Sequence, residues 1–213
     1  MAALTLNLAK PGDIKKKLSL NLVKDETFTI KLKWDGETDL DLHALACIGQ
    51  AGQSPTITDT EQILSAYNVV RTINGQQQGA LPKAADGSFS ILNGALVHSP
   101  DATDGNLDGV DEFIRVSPGK LPKDAGQTIE IPIIAMIHPQ KVGVTFGKVK
   151  NPKVTIESSN GTELMSANLS DQFGSFIGVQ MGSIMIDENG KAEFVQTATG
   201  FSGDFNSVIE NFS

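Results

Sequence analysis

The chain has 213 residues, 39% hydrophobic and 20% charged, with 21 Gly and 9 Pro; that is enough length for one real core, and too much turn chemistry for long helices. A formal net charge of -8 and a pI near 4.8 exclude nucleic acid as the main ligand, because phosphate binding needs concentrated Lys and Arg. The single cysteine, Cys47, excludes an intramolecular disulfide and a thiolate metal site built from this chain alone.

At the start, Leu4, Leu6 and Leu8 alternate, Pro11-Gly12-Asp13 breaks the run, and Leu18, Leu20 and Leu22 resume it, which predicts two strands and a turn. Lys10, Lys15, Lys16, Lys17 and Lys24 make this stretch locally basic, so the acidity lies further along; a charge run of this kind reads as a solvated face. Met1-Ala-Ala-Leu-Thr lacks the apolar core of a signal peptide, and no run of about 18 apolar residues exists to span a bilayer, so a soluble, cytoplasmic product without membrane insertion is expected.

From Thr27 the alternation is clean: Phe28, Ile30, Leu32 and Trp34 share one face and Thr29, Lys31 and Lys33 the other, which predicts a half-buried strand with Trp34 in the core. Leu40 to Ile48 reads as a buried strand containing Cys47, and Ile63 to Val70 is a further apolar segment. Residues 71–93 are rich in Gln, Gly and Ala and predict a surface insertion, with a small hairpin around Asp86-Gly87. Strands are expected at Phe113 to Val116, Ile129 to Ile137, Val154 to Ile156, Glu163 to Leu169, Phe176 to Ile186 and Ala192 to Ala198. Asn160-Gly161 and Asn189-Gly190 supply hairpin turns between them. Pro132, inside a strand, is expected at a sheet edge or a bulge. Only Asp204 to Phe212 has helical spacing. Short strands with close turn signals and no strand–helix alternation predict one all-β domain over 1–213, a two-sheet antiparallel β-sandwich with a short C-terminal helix.

The segment that carries chemistry runs from His98-Ser-Pro-Asp101 to Asp111-Glu112 and holds five carboxylates. Like charges about 4 Å apart repel by about 4 kcal/mol at an effective dielectric near 20, a penalty that a cation removes. Asp104, Asn106 and Asp108 followed by Gly109 match the first half of a D-x-[DN]-x-[DN]-G calcium loop, with Val110 offering its carbonyl and Glu112 in the ninth position. The twelfth position is Arg115, where an EF-hand needs a bidentate Glu, so this is no EF-hand. A second acidic pair, Asp39 and Asp41, opens the next strand, where alternate residues point to one face and can reach one ion together. All-oxygen donors favour a hard cation, Ca²⁺ ahead of Mg²⁺. Each cluster taken alone also reads as a solvated turn.

Together these segments resemble the TerD family. The resemblance is carried by Leu6-Asn-Leu-Ala-Lys-Pro-Gly with Leu18-Ser-Leu; Ile30-Lys-Leu-Lys-Trp34-Asp35; Asp39-Leu-Asp41; Tyr67-Asn68; His98-Ser-Pro-Asp101 running to Glu112; Phe146-Gly-Lys-Val-Lys-Asn151; Gly161-Thr-Glu-Leu164; and Gly200. It implies a calcium-binding β-sandwich with ligands at Asp39, Asp41, Asp101, Asp108, Asp111 and Glu112, and Asn68 nearby. It also implies a role in stress or tellurite resistance through complexes with other proteins, not turnover of a substrate. Val110 stands where the family usually has Asp, Pro100 replaces a Gly, Asn106 replaces an acidic residue, Ala192-Glu193-Phe194 lacks the usual Trp, and residues 71–93 are longer than typical. This marks a divergent member, in which one of two usual calcium sites is weakened.

His43, His98 and His138 with Cys47 form no recognisable nucleophile–base motif, and no glycine-rich nucleotide fingerprint is present. His98 is expected to position the acidic loop, and His138-Pro139 to form a turn. Three readings from different classes follow: a calcium-binding module docking on partner proteins, a structural virion or tail protein that self-associates, and a metal-assisted hydrolase. The last ranks lowest for want of a positioned base.

Overall fold

A computed structural model describes residues 17–18, 26–122, 126–189 and 191–213. The strands expected around Leu4 to Leu8 and Leu20 to Leu22, with most of the basic start, lie outside the described residues, as does Gly190 of the expected Asn189-Gly190 turn.

Two antiparallel sheets face each other. In the first, β1 (Lys17–Leu18), β15 (Ala192–Phe201), β14 (Gly178–Ile186), β11 (Gln127–Ile137), β3 (Leu40–Leu45) and β5 (Ile63–Leu64) follow in that order, and β4 (Cys47–Gln50) also pairs with β11. The second runs β13 (Glu163–Asn168), β12 (Lys150–Ser158), β2 (Phe28–Asp35), β10 (Glu112–Val116), β9 (Leu96–His98), β8 (Phe89–Ile91). A separate hairpin joins β6 (Arg71–Ile73) to β7 (Gln76–Gln78). The all-β sandwich expected from the alternation is the observed fold.

The strand faces follow the sequence. Phe28, Ile30, Leu32 and Trp34 of β2 are buried while their neighbours are half-buried, so the strand packs one face on the core. β3 differs, because all six residues are buried. Leu40, Leu42 and Ala44 face the sandwich interior, and the opposite side joins a second, smaller core of Leu45, Cys47, Ile134 and Met136 under Phe205 and Val208. Those two side chains belong to the C-terminal helix α2 (Phe205–Glu210), capped by Asp204, whose side chain accepts from Ser207 N–H. A helical lid thus hides the outer face of β3. A five-residue helix, α1 (Leu169–Phe173), also forms, started by Asn168 accepting from Ser170 and Asp171 N–H; it is too short to leave a periodic signal.

Residues 71–93 divide into two parts. β6 and β7 are exposed throughout and close on Asn74 and Gly75, both at positive φ, as a surface hairpin. Leu81, Phe89 and Ile91 are buried, however, and β8 extends the second sheet, so the polar bias does not reach the end of the segment. The turn at Asp86-Gly87 forms, with Ser88 N–H donating to Asp86 and Gly87 N–H to Ala84 O.

Pro132 sits in β11, inside the sheet between β14 and β3 and not at an edge, and next to a bulge, the other expected setting: the pairing of β11 with β14 shifts register between Ile133 and Ile134. On its other side β11 passes from β4 to β3 here: Glu130 faces Cys47 of β4, Ile133 faces Ala44 of β3, and the strand assignment is interrupted at Ala46 between them. Ala46 bonds to Gln62 instead. Ala46 N–H donates to Gln62 O at 2.8 Å, Gln62 Nε2 donates to Ala46 O at 2.8 Å, and Gln62 Oε1 accepts from Thr58 and Asp59 N–H. Replacing Gln62 with Ala strands three backbone groups, one of them buried, and is expected to cost about 2 kcal/mol in urea or guanidinium unfolding. An unchanged midpoint would contradict this role.

Candidate metal centre

One end of the sandwich gathers three loops: 36–39 between β2 and β3, 99–111 between β9 and β10, and 138–149 between β11 and β12. They are tied to one another. Gly105 N–H donates to Gly36 O at 2.8 Å, His138 N–H to Asp39 O at 2.9 Å, and Lys141 Nζ to Glu37 O at 2.9 Å. Gly105 packs on Trp34 so closely that a Cβ there would lie 2.4 Å from the indole Cδ1 and 2.6 Å from Trp34 O, so the acidic loop is seated on the end of β2.

The site itself grows from an unpaired strand edge. β5 pairs with β3 only at Ala44 and Leu45, which leaves the N–H and C=O of Leu42 without a strand partner on that side. Both are taken by side chains of the opposite sheet. Glu112 Oε2 accepts from Leu42 N–H at 2.8 Å, and His98 Nε2 lies 2.8 Å from Leu42 O. Glu112 Oε1 also accepts from Ala102 N–H at 3.2 Å, and His98 stacks on Phe89 with centroids 4.5 Å apart. Buried polar groups without partners are costly, so these contacts fix where Glu112 sits.

Asp41 comes round the same strand, and Asp101 hangs over it from the loop. Single oxygens of Asp41, Asp101 and Glu112 lie within 4.8 Å of one another. Asp41 is 2% exposed and Glu112 fully buried, whereas Asp101 is exposed. Tyr67 donates its hydroxyl to Asp41 Oδ2 at 2.5 Å. Burial pushes the Asp41 carboxyl up to about 8, with Asp39 and Asp101 adding to the rise and the Tyr67 hydrogen bond opposing it. Glu112 is pushed well above the ordinary carboxylate range by burial and by Asp41. Asp39, half-buried, is raised by burial and by Asp101 and Asp104, against the pull of His138 and Lys141. The cluster therefore holds protons or a cation at neutral pH, and a donor set made wholly of oxygen fits a hard divalent cation.

The remaining predicted residues lie elsewhere on this end. Asp104 accepts Asn106 N–H at 3.1 Å in a local turn, Asn106 and Asp108 are exposed, and none of the three belongs to the close carboxylate group. Asp111 is buried with Oδ2 accepting Trp34 N–H at 2.9 Å and Oδ1 without a partner. Asn68 is occupied by backbone, donating to Thr60 O and Ile63 O and accepting from Ala80 N–H. Its neighbour Tyr67 is the residue that reaches the acidic group. His43, on the outer side of β3, is buried without a hydrogen-bond partner between Tyr67 and Phe205, and burial holds its ring neutral.

An antiparallel β-sandwich with buried carboxylates at one end defines the class of protein. A TerD domain model matches residues 87–212, the larger part of the chain, and the chain belongs to the TerD domain family. Two solved structures share the fold. A homologue of telluride resistance protein (TerD), SCO6318 from Streptomyces coelicolor A3(2), is 18% identical with a TM-score of 0.61, covering 89% of this chain and 98% of its own. SAV2460, described as a protein of unknown function, is 18% identical with a TM-score of 0.60, covering 88% of this chain and 96% of its own. No curated protein sequence matches the chain significantly. No helix among the described residues is long and apolar enough to cross a membrane.

The raised carboxyls set the sign of a pH dependence. A group whose pKa rises on folding, from about 3.9 to about 8 for Asp41, favours the folded state below its unfolded pKa and loses that contribution as pH climbs through its folded one. In chelator, the melting temperature is expected to fall between about pH 4 and pH 8 and level off above. Asp41→Asn should flatten that slope. Parallel profiles for the two proteins would contradict the assignment.

Proposed function

We propose that the chain is a calcium-binding TerD-type protein that acts without turnover, as a binding module in a complex with other proteins of a stress or tellurite response. The observation that carries the reading is the approach of Asp41, Asp101 and Glu112 within 4.8 Å, two of them buried. Evolution of a merely solvated acidic turn would leave such carboxylates in water, where they repel little. Here Glu112 is fixed by Leu42 and Ala102 N–H, Asp41 by Tyr67, and Asp101 closes the group from the solvent side.

Calcium takes six to eight oxygens. Asp41, Asp101 and Glu112 would hold the ion, with Asp39 adding negative charge beside them; the ion would supply the counter-charge that these groups lack. The side chains position it: Glu112 cannot swing away without freeing the edge of β3, and Tyr67 orients Asp41 from the outer side. Family membership supports the same reading, and extends it to partner proteins.

Millimolar Ca²⁺ is expected to raise the melting temperature relative to EGTA, because a ligand that prefers the folded chain stabilises it by mass action. Asp101→Asn, an exposed change that removes one of the repelling charges, should not lower the melting temperature in EGTA and should weaken calcium binding about tenfold or more in calorimetry. Equal melting in Ca²⁺ and EGTA, with no heat of binding, would sink the proposal.

A further inference from the structure

We propose that this end of the sandwich docks on anionic phospholipid in a calcium-dependent manner, inserting Leu107 and Val142. The inference rests on the calcium reading above and extends it to a partner surface. Three large hydrophobic side chains are exposed among the described residues: Ile73 at 39%, Leu107 at 53% and Val142 at 90%. Two of the three stand on the loops that border the carboxylate group.

These loops share one rim. Asp39 feels Asp101 and Asp104 from the loop that carries Leu107, and His138 and Lys141 from the loop that carries Val142. Val142 occupies the apex of a tight turn, in which Val144 N–H donates to Lys141 O at 3.2 Å and Gly143 adopts φ +73°. Two lysines belong to this loop, Lys148 Nζ donating to Gly143 O at 2.8 Å within the turn and Lys141 Nζ to Glu37 O at 2.9 Å on the neighbouring loop. An apolar tip on a loop that carries two lysines suits the headgroup boundary of an anionic bilayer, where the tip enters the acyl region and the lysines meet phosphate.

Calcium dependence follows from charge. Without a cation, Glu37, Asp101 and Asp108, exposed on these loops, with Asp104 half-buried beside them, repel an anionic surface. With one bound, that repulsion falls. Asp41, Asp101 and Glu112 bring one oxygen each to the group, fewer than the six to eight that calcium takes, so a bound ion would also accept external oxygens. Lipid phosphate would supply oxygens of that kind. The net charge of -8 makes unassisted attraction to such a membrane unfavourable, which separates this mode from simple basic-patch adsorption.

Co-sedimentation with phosphatidylcholine vesicles, with and without phosphatidylserine, tests the proposal in Ca²⁺ and in EGTA, alongside calcium calorimetry of the same samples. The expected result is sedimentation only with phosphatidylserine and Ca²⁺. The double variant Leu107→Ser with Val142→Ser, exposed at both positions, should keep its calcium heat and melting temperature while losing vesicle affinity by about tenfold or more. Calcium heat without sedimentation on any vesicle overturns the membrane inference alone and assigns the tips to a protein partner. Sedimentation unaffected by the double variant overturns the role of the tips. Absence of calcium heat overturns both this inference and the reading beneath it.

Discussion

Two carboxylates buried side by side cannot both stay ionised unless something supplies opposite charge, and among the described residues no lysine or arginine pairs with Asp41 or Glu112. Asp41 and Glu112 meet round the edge of β3 with Asp101 above them, and the nearest basic side chains, His98 and His138, are a buried ring held down in pKa and a partner of Asp39. The arrangement persists because Glu112 has a second duty. Its Oε2 accepts the free Leu42 N–H at the edge of β3 while its Oε1 accepts from Ala102 N–H of the acidic loop, a structural need that binds the second sheet to the first and leaves the carboxylate where charge is costly. Fold and site are the same contacts seen from two sides.

That double use explains why β3 is buried on both faces. Leu40, Leu42 and Ala44 fill the sandwich, while α2 and Tyr67 roof the other side over His43 and Asp41. The roof keeps water from the inner carboxylates but not from Asp101, so the group is closed on one side and open on the other. Such a site can accept an ion from solvent and present it outward.

Much of the fold was legible in the sequence, because alternation with period two directly reports which face of a strand is buried. Phe28 to Trp34 is the plainest case, and the helical spacing over Asp204 to Phe212 identified the terminal helix, which forms at Phe205–Glu210. Pro132 left edge and bulge both open, because either accommodates a missing N–H. The bulge beside it, between Ile133 and Ile134, depends on long-range pairing with β14 that no local pattern contains. The site was legible as composition rather than as geometry. Spacing drew attention to Asp104, Asn106 and Asp108, yet the residue over the buried pair is Asp101, since sheet pairing decides which part of the loop faces β3. Tyr67 and His98 carried no metal-type signal; their roles come from a strand edge and a roof that exist only once the sheets have formed. The adjacent pair Tyr67-Asn68 was singled out, but the tyrosine, not the asparagine, reaches the acids.

The central claim is that a divalent ion sits among these three carboxylates. A crystal structure of the protein grown in millimolar calcium measures this directly. The account predicts density for one ion about 2.3–2.6 Å from oxygens of Asp41, Asp101 and Glu112. Three carboxylates with no ion between them, or an ion held by Asp104 and Asp108 alone, would contradict it.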